Sequence, residues 1–191
     1  MIGFIKGKVK YFDNASIVID TQGVGYKVTV PSEVLGKAKI NQEIEVYTYT
    51  HVREDALELF GFSDPLDLKL FEQIIGVSGI GPRIAVNIFS FGNRDSIISA
   101  IAKADVSFFT AIPRLGTKNA QKLIIELKSK VGSLEELDLL QEGDGEAKEV
   151  LAVLKSFGFS SKEAGEALKN IDKMIESVEE KIRLALKYLG K

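Results

Sequence analysis

Residues 77–88 read VSGIGPRIAVNI and residues 112–123 read IPRLGTKNAQKL. Laid over one another in a single frame, they match type for type. Val77 falls on Ile112, Ile80 on Leu115, Gly81 on Gly116, Arg83 on Lys118, Ala85 on Ala120 and Ile88 on Leu123. Each stretch is preceded and followed by an apolar helical segment. The pattern is therefore a helix, a tight glycine-containing turn and a second helix, made twice. The residue types have a physical reason. Gly79, Gly81 and Gly116 permit unusual backbone angles and leave no side chain to block a close approach. A turn that delivers the chain into a helix exposes unpaired N–H groups at the positive end of the dipole, where an anion is stabilised. Phosphate is the obvious anion. Arg83 and Lys118, early in the second helix of each copy, add a cation beside it.

These features resemble the helix-hairpin-helix DNA-binding motif, whose contacts go to the backbone and position a protein without reading base sequence. Two simple helix–helix connections would share the apolar frame, but a cation and an alanine in register in both copies favour the motif. Arg114 stands where the motif has its first glycine. Either the backbone sits differently there, or the guanidinium adds charge to the phosphate site. Lys122, one turn beyond Lys118, is a further candidate contact, whereas Lys128 and Lys130 read as a solvated helix end.

Upstream, residues 1–62 alternate with period two through IKGKVKYF, SIVIDT, VGYKVTV, EIEVYTYTHV and LELFGF, separated by turn formers. Five short strands with edges to hide predict a small closed barrel of the OB type. TQGVGYKV within it predicts a bulge or sharp bend rather than a phosphate loop, since no helix follows. At Asp64-Pro65 the pattern changes to helix, with an N-cap and a proline at the first helical position. Leu66, Leu70, Phe71 and Ile74 then share one face. Helical patterns run to about Val131, broken at Gly76–Gly81, Gly92-Asn93 and Ile112–Gly116.

Residues 132–146, GSLEELDLLQEGDGE, hold six acidic residues and no basic one. Ser133 and Glu136 offer a capping box, and the remainder reads as a self-repelling flexible linker. Beyond it AKEVLAVLKSF, KEAGEALKNI and VEEKIRLALKYL predict a three-helix bundle, with Gly158 ending its first helix and Ser160 with Glu163 capping its second. The expected class is thus multi-domain α+β: an OB-like barrel over 1–62, an all-α tandem hairpin domain over 63–131, the linker, and a small bundle over 147–191.

The net charge of −2 by itself argues against a nucleic-acid binder, but the acidity is concentrated in the linker. Between Arg114 and Lys130 stand five basic residues and one acid, Glu126, and phosphate responds to the local field. With no cysteine there is no disulfide, thiolate nucleophile or cysteine-based metal site, which suits a reducing cytosol. Neither a signal peptide nor a membrane span is expected.

The barrel, the hairpin pair and the bundle behind an acidic linker, together with MIGFIKGKVKYFDNASIVIDTQGVGYKV, HVREDALELFGF and LFEQIIGVSGIGPRIA, resemble the RuvA family of Holliday-junction branch-migration proteins. The resemblance covers the whole chain. It implies a bacterial cytoplasmic homotetramer, used singly or as a face-to-face octamer, that holds a four-way DNA junction open on a concave face. In the family an acidic pin, here Glu54 and Asp55, projects into the centre of that face. Without the resemblance, Glu54-Asp55 reads rather as a polar hairpin turn, flanked by His51 and Arg53. The bundle would bind the RuvB ATPase hexamer, with Leu168, Ile171 and Met174 either partner contacts or core, and the RuvC resolvase is a further partner that the family admits. The setting implied is DNA recombination, repair and the SOS response to DNA damage.

No catalytic residue, metal or cofactor is implied. No G-x-x-x-x-G-K-[ST] stretch is present, and GTKN at 116–119 has the wrong spacing for one. The competing classes are a generic duplex binder and a structure-specific nuclease. The second would need a catalytic lysine or aspartate just beyond a hairpin, or a metal-binding carboxylate cluster. NAQKLIIELKSKV has no aspartate, and Glu54 with Asp55 lack a third ligand.

Overall fold

The computed structural model describes residues 1–128, 145–159, 161–171, 175 and 177–190. It divides after Lys128 into two compact units. In the first, β1 (Phe4–Phe12), β2 (Ser16–Thr21), β3 (Val24–Thr29), β4 (Glu43–Val52) and β5 (Leu57–Phe62) close a barrel in the order β1-β2-β3-β5-β4. All pairs are antiparallel except β3 with β5. Alternation sends Ile5, Val9, Ile17, Ile19, Val28, Val46 and Leu59 inward to a common core. A short helix α1 (Ser32–Lys37), not foreseen from sequence, adds Val34 to that core.

TQGVGYKV is neither a bulge nor a bend within a strand. It holds the β2–β3 hairpin turn, with Gln22 and Gly23 both at positive φ (58° and 106°), and Thr21 pairs with Val24 across it. A two-residue loop of this kind matches the twist of the strands it joins. The register shift of the barrel lies instead in β1, between Val9 and Tyr11.

The helices of the first unit are α2 (Pro65–Ile75), α3 (Pro82–Phe91), α4 (Arg94–Ala102), α5 (Val106–Thr110) and α6 (Thr117–Lys128). The Asp64 side chain caps α2, accepting from the Leu66 N–H at 2.7 Å. Leu66, Leu70, Phe71 and Ile74 are all buried, as the periodicity predicts. A break at Lys103–Asp105, with Ala104 at φ 55°, separates α4 from α5 and carried no glycine or proline to announce it.

Barrel and helices are joined by aromatic rings. Phe71 of α2 packs against Tyr49, Phe60 and Phe62 with centroids 5.6, 5.8 and 4.9 Å away, and Phe89 of α3 reaches Phe62 at 5.0 Å. Such rings bury large areas, and their pairs favour tilted or offset-stacked contacts like these. Beside them Arg94 binds Asp64 and Asp67, each at 3.0 Å. Burial nevertheless pushes the Asp67 carboxyl up to about 6, against the pull of Arg94.

The second unit holds α7 (Gly145–Ser156), α8 (Ser161–Lys169) and α9 (Val178–Tyr188). Helix α7 starts two residues inside the stretch assigned to the linker. Residues 129–144, with the Ser133–Glu136 box and Lys130, lie outside the described residues, as do Ser160 and Met174. Val150, Leu151, Leu154, Ala164, Ala167 and Ala185 form the core. Leu168 and Ile171 pack against that core and are each half-buried. Gly158, at φ 90°, ends α7. Among the described residues no helix is long and apolar enough to cross a membrane.

Candidate nucleic-acid interface

The two hairpins share four backbone hydrogen bonds in register. In the first, backbone N–H groups of Gly76, Val77, Ile80 and Ala85 donate to the carbonyls of Glu72, Ile74, Val77 and Gly81. In the second, Ala111, Ile112, Leu115 and Ala120 donate to Ser107, Phe109, Ile112 and Gly116. The anchors are buried in both: Val77, Ile80, Ala85 and Ile88 in one, Ile112, Leu115, Ala120 and Leu123 in the other. The sequence repeat is therefore a structural repeat, α2–turn–α3 and α5–turn–α6.

Arg114 does not disturb it. Gly79 lies at φ 94° and Arg114 at φ 68°, so both occupy the left-handed region at the third position of the turn. For arginine this costs about 1–2 kcal/mol. Pro113 precedes it, and proline is favoured at the second position of turns that demand positive φ at the third. Gly79 has a second reason to be glycine. A Cβ there would stand 3.0 Å from Asn119 Oδ1. Asn119 Nδ2 donates to the Gly79 carbonyl at 3.2 Å, so α6 holds the first hairpin loop.

Gly81 and Gly116 differ from this. Gly81 caps α3 at φ −91°, an angle open to any residue, which corrects the expectation that it needs glycine's freedom. A Cβ on either residue would meet nothing within 4 Å. Their bareness serves no neighbour inside the chain and leaves the surface open to a close approach from outside. The helix starts agree with this. Helices α2, α4, α8 and α9 each carry an acid in the first turn and α5 is capped by Asp105, while α3 and α6 carry neither. Two helix N-termini are thus left without an internal counter-charge.

The cations are not equivalent. Lys118 is exposed, and Lys122 leans on Glu126 at 3.8 Å. Arg83, 77% exposed, gives Nη2 to Glu58 Oε1 at 2.6 Å. Arg53 gives Nη2 to Glu58 Oε2 at 2.8 Å. Glu58, only 20% exposed, is therefore clamped between two guanidinium groups. Its hydrogen bond from Arg83 leads in holding its carboxyl below the usual range, with Arg53 adding to it against burial. Arg83 and Arg114 border one groove of about 610 Å³ between barrel and helices, with Lys27, Asn87 and Glu58. Lys118 and Lys122 do not line it.

Glu54 and Asp55, expected as the pin, lie in the β4–β5 turn. The Arg53 N–H donates to the Ala56 carbonyl at 2.8 Å, leaving Glu54 and Asp55 exposed at the tip. Neither carboxylate has a partner among the described residues. His51 sits between the Tyr49 and Phe60 rings, at 6.1 and 6.3 Å. No group of three or more His, Cys, Asp or Glu among the described residues could hold a metal.

Two residues that restrain the first hairpin were missed from sequence. Glu58 had a signal, being the one charge in LELFGF. Asn119 had none, because its partner is 40 positions away.

The same three-part organisation marks a set of known proteins. Family models match end to end: RuvA N terminal domain over residues 1–61, SAM-like helix-hairpin-helix tandem over 71–130, and RuvA, C-terminal domain over 146–190. A relative from Halothermothrix orenii is 42% identical over all of this chain and 98% of its own length. The chain belongs to the RuvA family. Other members include proteins of Herpetosiphon aurantiacus, 38% identical over 100% of this chain and 99% of theirs, and Acholeplasma laidlawii, 41% identical over 90% of each. All three relatives are named as Holliday junction branch migration complex subunit RuvA.

Proposed function

We propose that this protein is the DNA-binding subunit of a Holliday-junction branch-migration complex. It recognises the four-way junction by shape and backbone, holds it open, and recruits the ATP-driven RuvB hexamer through the three-helix unit. It performs no catalysis alone, having no phosphate-loop sequence for ATP. The observation that carries the reading is the pair of hairpins with four backbone hydrogen bonds in register, each ending at an acid-free helix start, on the same compact unit as an unpaired acidic turn.

In this reading Gly79, Gly81 and Gly116 let strand phosphates approach, and Arg83, Arg114, Lys118 and Lys122 supply charge along the arms. Arg114 joins the site with its backbone intact. Four protomers would bring eight Glu54 and Asp55 carboxylates to the crossover, where they repel phosphates and keep strands parted. Homotetramer assembly and a bacterial cytoplasmic setting belong to the same proposal.

The test is a gel-shift competition between a four-way junction and a linear duplex of matched length, at low salt without divalent metal. A strong preference for the junction is expected. Replacing the pin by E54Q with D55N should lower that preference by roughly tenfold, ~1.4 kcal/mol. Preference unchanged in the double variant would reduce the pin to a turn, and equal binding of both substrates would leave only a generic duplex binder.

A further inference from the structure

The first hairpin carries an anion of the chain's own. Glu58 presents one carboxylate oxygen to each of two arginines, Arg83 at the start of α3 and Arg53 beside the pin, at 2.6 and 2.8 Å. Two guanidinium groups converging on one small oxyanion is the arrangement that also receives a phosphate. A pocket of about 200 Å³, bordered by His51, Arg53, Gly81, Pro82 and Arg83, encloses this meeting point. Gly81 is the bare helix cap where a phosphate would approach, so the carboxylate and a strand phosphate would draw on the same guanidinium. At the second hairpin only Lys122 has a carboxylate near it, Glu126 at 3.8 Å, and neither Arg114 nor Lys118 has one among the described residues.

We propose that Glu58 is an internal competitor for DNA phosphate, a residue that weakens the grip of the first hairpin by holding Arg83 and Arg53 until a strand displaces it. This rests on the reading of Arg83 as a phosphate ligand. Its functional sense follows from what the complex does. An arm that is pulled through a protein must leave each contact as readily as it enters. A carboxylate that retakes the arginine as a phosphate departs keeps the cation from being stranded and lowers the cost of release. Arg83 has donors to spare for this exchange, since a guanidinium carries five N–H groups and Glu58 engages one nitrogen. The second hairpin, lacking such a partner, would hold its phosphate the longer.

The measurement is duplex and junction affinity across a salt series for the full chain and four variants: E58Q, R83Q, their double, and E45Q as a charge control remote from the hairpins. E58Q keeps the shape and a hydrogen-bond acceptor while removing the charge. It should bind both DNAs about two- to fivefold tighter, the scale of an exposed ion pair. The salt slope should steepen by about 0.9 for each arginine that turns to a phosphate, which a purely structural role would not produce. The gain should shrink when Arg83 is already glutamine. Unchanged or weaker binding by E58Q overturns the proposal, as does an equal gain from E45Q, which would make the effect one of overall charge. If R83Q alone leaves affinity untouched, it is the role of Arg83 that fails, and the two failures are thereby told apart.

Discussion

In the first hairpin the left-handed position is Gly79, its carbonyl held by Asn119 and the neighbouring arginine held by Glu58. In the second it is Arg114, with an exposed side chain and no such restraint from the barrel. Yet the two loops share four backbone hydrogen bonds in register. What the loops share is the set of buried anchors, Val77 and Ile80 in one, Ile112 and Leu115 in the other. The packing of those anchors dictates the turn, and the residue at its left-handed corner conforms at a cost that depends on its side chain. Glycine there is a convenience for the fold, which frees the corner for chemistry in the second copy.

If the anchors set the loops, removing them should do the most damage and do it equally. Ile80→Ala and Leu115→Ala should each destabilise the first unit by about 2–5 kcal/mol, as read by chemical denaturation. A loss confined to one of them would mean the hairpins are held differently. The corners should then respond in opposite senses. Gly79→Ala forces a Cβ into the left-handed region and against Asn119, and should cost about 1–2 kcal/mol. Arg114→Gly should leave stability unchanged or raise it by up to about 1 kcal/mol, relief of strain being partly offset by glycine's larger unfolded-state entropy. The same substitution should weaken DNA binding, so that stability and affinity part company at this one position.

Acid should separate the hairpins more gently. The Glu58 carboxyl titrates below its ordinary 4.5 in the folded chain. Its contribution is therefore fully present above 4.5 and is lost as the pH falls through the folded value. Asp67 has the opposite sign. Its folded value near 6 lies above its ordinary 3.8, so its contribution is full below 3.8 and lost as the pH rises through 6. A stability–pH series of the E58Q chain should lose the acid limb below 4.5 that belongs to the first hairpin while keeping the decline between 4 and 6.

Much of this was legible in the chain. Five alternating runs gave five strands, Asp64-Pro65 marked the start of α2, and the repeat of apolar, glycine, cation and alanine positions located both hairpins. Period and capping are local signals, and these features are local. The features missed are of two kinds. Helix α1 is six residues long, too short for a periodic stripe to show, and the Gln22-Gly23 turn hid in a stretch that also reads as a bulge. The Glu58–Arg83 and Asn119–Gly79 contacts join residues 25 and 40 positions apart; packing of the barrel on the helices brings the first pair together, and packing of α6 against the α2–α3 turn the second. The site residues lie in local motifs, while their restraints come from tertiary packing.

One feature of the barrel fixes a dimension. Strand β5 leaves the acidic turn at Leu57 and ends at Phe62, in the ring cluster with Phe71 and Phe89 that seats α2 and α3. Six extended residues span roughly 20 Å. That strand is a ruler laid from the carboxylates to the helices that carry the first hairpin, graduated in steps of about 3.3 Å per residue and anchored at one end by phenylalanine. Its length cannot drift with side-chain motion, and it changes only when a residue is added or removed. In the proposed junction complex, the distance from the crossover to each arm would be written in the count of residues between Asp55 and Phe62.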